Sequence, residues 1–158
     1  MRLSKQNPKF LVSCGAKTDV TVKLWNIASQ DKEAINQIIT NQLIHRDMAA
    51  SAETDLFAIA TATSEIKVFK IGPPAKPIPG KELVLEKALT LVTHKSDVLT
   101  INMHGRLCAS IARDNQLLIH KIEGEYPVSS LAFQMVLDAS TVNDTTRVAV
   151  YHSDEFDH

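Results

Sequence analysis

One pattern recurs three times along the chain, and internal repetition limits the possible folds more sharply than any other property of a sequence. The segments are Asp19-Val20-Thr21-Val22-Lys23-Leu24-Trp25-Asn26-Ile27, Thr63-Ser64-Glu65-Ile66-Lys67-Val68-Phe69-Lys70-Ile71 and Asp114-Asn115-Gln116-Leu117-Leu118-Ile119-His120-Lys121-Ile122. Each reads as a polar turn, a strand, a bulky ring followed by a polar residue, and a closing isoleucine. The rings lie 44 residues apart from Trp25 to Phe69 and 51 apart from Phe69 to His120. Upstream of each segment is a short run rich in small residues: Phe10 to Cys14, Phe57 to Ala62 and Leu107 to Ala112.

The other apolar runs are brief and β-branched, among them Val98 to Met103 and Arg147 to Tyr151, and they read as strands. Helical signals are weak. Ala28 to Leu43 places Ile35, Ile38 and Ile39 at helical spacing, but Asn36 to Asn41 suits a strand better. Lys81 to Leu91 has helical propensity, yet the repeat makes its second half a strand. Gly72 to Gly80 holds four of the six prolines, which forces an extended loop and accounts for the longer ring interval. That loop is expected as an insertion between repeating units. A small-residue strand, a turn and a ring-ended strand, repeating every 40 to 45 residues or so, mark the blades of a β-propeller. The small residues are expected because strands near the axis have little room for large side chains on both faces. The fold class is therefore all-β.

These residues resemble the WD40 family. His94-Lys95-Ser96-Asp97-Val98 is similar to that family's Gly-His turn and first strand, with Thr93 in place of the glycine. In the family, His, Ser or Thr, Asp and Trp link a blade's strands by buried hydrogen bonds. The resemblance implies such tetrad-like roles for His94, Ser110 and Asp114 in the third unit, where His120 holds the Trp place. It implies the same for Asp19 and Trp25 in the first unit. The second unit is degenerate, with Thr63 for the aspartate and Phe69 for the ring. The likeness covers residues 8 to 122, and a weaker fourth unit is expected from Pro127. The phrases Ile38 to Leu43, Lys67-Val68-Phe69 and His94-Lys95-Ser96 are similar to a transducin beta-like member of the family. That resemblance implies an adapter linked to endoplasmic reticulum stress signalling, cytoplasmic and at the cytosolic face of that membrane.

A closed ring of seven blades needs roughly 300 residues. The 158 residues here supply about three and a half four-stranded blades. The expectation is a single partial WD40-type β-propeller over residues 1–158, not a closed ring. Its blade ends fall near 27, 71–80 and 122, and 123–158 form an incomplete fourth blade. Such an arc is either part of a longer propeller or a half-ring awaiting its complement. Its open edges favour self-association.

Function classes narrow on charge and motif. Lys and Arg number 17 against 18 Asp and Glu, so no cationic excess is available to neutralise a nucleic-acid backbone. No apolar run approaches 18 residues and no signal peptide is evident, so no membrane segment is expected. Cofactors are not expected: the five glycines are scattered, and Cys14 and Cys108 form no zinc-type spacing. The tail from Tyr151 to His158 carries His152, Asp154, Glu155, Asp157 and His158, without defined ligand spacing, and reads as solvated. His94, Ser110 and Asp114 spell a hydrolytic triad by residue type, but Ser110 lies in a strand without a nucleophile elbow. The leading reading is a non-enzymatic scaffold for other proteins, and the hydrolase is the alternative. The loop residues Pro73, Pro74, Lys76, Pro77 and Pro79 are the candidate partner loop, since Pro74 to Pro77 fits the minimal P-x-x-P ligand. A fully enclosed Trp25 ring would make Trp25→Ala cost ~3–5 kcal/mol.

Overall fold

Each repeated segment folds back on the small-residue strand before it, and a flanking strand on either side completes a sheet. A computed structural model of the chain describes residues 2–3, 10–15, 19–28, 34, 36–39, 45–51, 53–79, 83–124 and 128–150. The first sheet contains β1 (Arg2–Leu3), β2 (Phe10–Cys14), β3 (Thr21–Asn26) and β4 (Asn36–Ile39). The second contains β5 (His45–Ala50), β6 (Leu56–Thr61), β7 (Glu65–Gly72) and β8 (Val84–Val92). The third contains β9 (Val98–His104), β10 (Leu107–Ala112), β11 (Gln116–Glu123) and β12 (Val128–Val136). In every sheet the strands pair antiparallel in chain order, and the described residues include no helix.

Tight turns enforce this meander. Gly105 has a φ of 53° in the turn that brings His104 opposite Leu107, and Asn115 has a φ of 60° between β10 and β11. Glycine and asparagine are the residues that tolerate the left-handed region such turns require.

The second sheet is buried from both sides, as β6 shows best. All six of its residues are buried, and their alternation divides them between two cores. Leu56, Ala58 and Ala60 join Val98, Ile101, Cys108 and Ala112 of the third sheet. Phe57 and Ile59 join Val12, Val22 and Leu24 of the first. Both alanines thus face the third sheet, beside Leu56, while Phe57 and Ile59 face the first. This refines the expected crowding near an axis, because the constraint acts on one face of the strand.

Polar contacts hold the first strands of the second and third sheets together. Asp47 Oδ2 accepts hydrogen bonds from the Thr100 hydroxyl and the Ile101 amide, both at 3.0 Å. The Val98 amide donates to the Thr63 carbonyl at 3.2 Å, and Arg46 pairs with Asp97 at 3.3 Å.

Several boundaries differ from the sequence reading. Val128–Val136 is not the start of a fourth unit: it pairs with β11 from Gln116↔Val136 to Glu123↔Val128 and forms the outer edge of the third sheet. The repeated pattern ends with the third strand of each sheet, and the fourth strand lies beyond it, at Asn36–Ile39, Val84–Val92 and Val128–Val136. Blade ends near 27, 71–80 and 122 are therefore one strand too early. The proline-rich loop connects β7 to β8 inside the second sheet, not two sheets to each other. Arg147 to Val150 forms no strand; the Val150 amide instead donates to the Asn102 side chain at 3.2 Å. The described residues contain three four-stranded sheets and no half-sheet after them.

Candidate functional site

The richest polar constellation lies where the third sheet meets the second. His94 precedes β9, Ser110 sits in β10 and Asp114 occupies the turn into β11. The Asp114 carboxylate can only accept hydrogen bonds, so the His94 Nδ1–H donates to it, at 3.1 and 3.2 Å from its two oxygens. His94 Nε2 is then the acceptor for the Ser110 hydroxyl at 2.8 Å. Asp114 also accepts the Lys95 amide at 2.8 Å and the Gln116 amide at 3.2 Å. One carboxylate therefore ties together the turn before β9, the turn before β11 and, through the imidazole, strand β10. Ser110 is 0% exposed and His94 5%. Burial lowers the His94 pKa below its ordinary 6.5, while the neighbouring Asp114 pulls it back upward.

Corresponding positions in the other sheets keep parts of this arrangement. Asp19 Oδ1 accepts the Thr21 amide at 3.1 Å, Thr63 Oγ1 accepts the Glu65 amide at 3.3 Å, and Asp114 does the same for Gln116. All three cap a turn by bonding two residues ahead, which is why a short polar side chain recurs there. Trp25 Nε1 donates to Ser13 Oγ at 2.8 Å. Ser13 escaped the sequence reading, although it stands two residues after the strand partner of Trp25, as Ser110 stands two after the partner of His120. Thr61, bonded to Thr63 at 2.7 Å and to the Glu65 carbonyl at 2.9 Å, escaped it too. In the second sheet Phe69 instead stacks on Phe57, its strand partner, with centroids 5.1 Å apart.

Trp25 is only half-buried. Full enclosure, the condition for a cost of ~3–5 kcal/mol, is not met, because the ring lies on the face of the first sheet turned away from the second. Trp25→Ala is accordingly expected to cost about 1–2 kcal/mol, the sum of one hydrogen bond and a partly buried ring. Urea unfolding checks this, and a loss above about 3 kcal/mol would contradict it.

No protein-family model and no curated protein matches the sequence. Solved structures do match: 447 chains resemble this one, so the architecture is a widely shared one. Among them is a chain of the crystal structure of the mitotic checkpoint complex, with a TM-score of 0.61 at 14% identity. The match covers 78% of this chain and 37% of that chain. The fold is a partial β-propeller. Among the described residues the three sheets are its blades, and none of them closes on itself.

Within this propeller, His120 of the third blade fills the place that Trp25 holds in the first, but without its hydrogen bond. It is 1% exposed, and neither ring nitrogen has a hydrogen-bond partner. Burial, and then the proximity of His94, lower its pKa below 6.5. Cys108 lies directly across from it and is fully buried, so its thiol is pushed up to about 12. Cys14 lies on the equivalent strand of the first blade but at a different register, opposite Val22. Its pKa is raised, chiefly by burial.

The candidate partner loop stands apart from this network. Pro73, Lys76, Pro77 and Pro79 are exposed and Pro74 is half-buried. Among the described residues no group of three or more His, Cys, Asp or Glu could hold a metal ion. The acidic and histidine-bearing tail from Tyr151 lies outside the described residues.

Proposed function

We propose that the chain is a non-enzymatic scaffold that presents propeller loops and blade edges to other proteins. The observation that carries this reading is the burial of Ser110. A hydrolase would use the same order of bonds, from serine to imidazole to carboxylate, but with the serine oxygen open to substrate. Here that oxygen is sealed between two blades, and the network serves as an internal clamp. The structural neighbour belongs to a multi-protein complex, which suits a docking role. Fold alone names no partner.

The candidate docking element is the exposed loop with Pro73, Pro74, Lys76, Pro77 and Pro79. The narrower reading is an adapter at the cytosolic face of the endoplasmic reticulum, linked to stress signalling. Its support is the likeness of Ile38 to Leu43 and of His94-Lys95-Ser96 to transducin beta-like protein 2. In the described residues no helix is long and apolar enough to cross a membrane. A second reading, assembly with another chain, is favoured by β12, whose nine residues are all exposed, including Leu131, Phe133 and Met135. Light scattering that shows a monodisperse monomer would remove it.

The test of the main reading has two arms. The intact chain should stay unlabelled at Ser110 by a fluorophosphonate probe, and labelling above a Ser110→Ala control would overturn the non-enzymatic assignment. Affinity capture should recover proteins that are lost when Pro74 and Pro77 are both replaced by alanine. Capture that is indifferent to the loop would move the docking surface elsewhere.

A further inference from the structure

We propose that the joint between the second and third blades is built to open in acid, with His120 as the group that takes up the proton. It holds whatever partner the propeller binds. A buried imidazole with both nitrogens unpartnered is unusual, because buried polar groups are nearly always hydrogen-bonded. His120 occupies a strand position that alternates with Lys121 on the outer face, where Lys121 pairs with Glu123 at 2.7 Å. Its own face is the one packed on the second blade. Across β10 it meets Cys108, which stays a neutral thiol, and across β12 it meets Leu131.

The core that these strands share with the second blade is supplied from that side by Ala58, Ala60, Ile66, Val68 and Leu91. The titratable group felt by His120 is His94, a second imidazole whose protonation would oppose a charge on His120. The nearby carboxylate, Asp114, is already engaged by His94, Lys95 and Gln116. A proton on His120 would therefore sit in an apolar joint beside a second imidazole, without a counter-ion. Such a charge is costly until water reaches it.

The sign follows from the direction of the shift. The pKa of His120 is lowered in the fold from its ordinary 6.5. The unfolded or opened chain therefore binds the proton more readily. Stability contributed by the neutral ring is complete above about pH 6.5 and is lost as pH falls below it, by up to roughly tenfold in the opening equilibrium per pH unit for one proton. His94 shifts in the same direction and adds to the effect.

The two cysteines provide a local readout in the full chain. Cys108 is buried inside the joint, while the half-buried Cys14 of the first blade serves as an internal reference. Labelling by 4,4′-dithiodipyridine, located by mass spectrometry, would be compared at about pH 7.5 and pH 5.5. The ratio of Cys108 to Cys14 labelling should rise by about tenfold in acid. In His120→Phe and His120→Gln, one apolar and one polar but neither protonatable, the rise should fall to less than half that of the wild type. A wild-type ratio that does not change with pH overturns the proposal. So does a folded His120 variant that keeps more than half of the rise.

Discussion

Replacing Asp114 with alanine should lower the unfolding free energy by about 3–5 kcal/mol, the sum of one charge-assisted hydrogen bond to a buried imidazole and two backbone amides left without their acceptor. The side chain of His94 is 0% exposed and that of Asp114 is 9% exposed. The variant would leave the His94 Nδ1–H without an acceptor and would release the Lys95 and Gln116 amides together. Asp114 joins two turns directly and strand β10 through the imidazole. Asp114→Asn retains an acceptor oxygen while giving up the charge, so it should cost roughly 1–2 kcal/mol, closer to an ordinary hydrogen bond. Urea unfolding of the two variants side by side provides the measurement. A loss under about 1 kcal/mol for Asp114→Ala would show that the network contributes little, and would undercut its reading as a structural clamp. Native domains are stable by only about 5–15 kcal/mol in total, so the expected loss endangers the fold itself.

Part of this architecture is legible in the amino-acid sequence. The β2–β3, β6–β7 and β10–β11 hairpins were legible because each combines a turn-capping side chain, a small-residue strand and a ring at fixed offsets. The outer strands carry no such marks. Val84–Val92 contains Glu86, Lys87 and Ala88, residues of helical propensity, and it becomes a strand because β7 offers it a register partner at almost every position. Val128–Val136 is a strand for the same reason, and reading it as part of a new unit followed from ending each blade at its third strand.

In the site, His94, Ser110 and Asp114 could be named from their types and spacing, and the structure brings all three together. The place of Ser110 in a strand without a nucleophile elbow already pointed to burial, and Ser110 is 0% exposed and His94 5%; burial is what separates a clamp from a triad. Ser13 and Asp47 were missed for a different reason. A lone serine or aspartate has no sequence mark that reveals a partner across a strand or in the next blade.

Phe69→Ala carries the second large expectation, about 3–5 kcal/mol for deleting a fully buried aromatic side chain. Phe69 is 1% exposed and stacks on Phe57 at an interplanar angle of 12°. Both rings belong to the core between the first and second blades, with Val12, Val22 and Leu24 on the opposite side. The third blade draws on a different set of residues, on the other face of the second. In a repeat architecture, stability divides into blades and the interfaces between neighbours. Loss of the Phe69 ring should therefore loosen the first blade before the third. Amide hydrogen exchange should accelerate in β2 and β3 well ahead of β9 to β11, while Phe69→Leu, which keeps most of the apolar volume, should show a much smaller change. Uniform acceleration would mean that the three blades unfold as one unit. Acceleration confined to the third blade would contradict the division of the second sheet into two cores, since no described residue of that blade belongs to the core that contains Phe69.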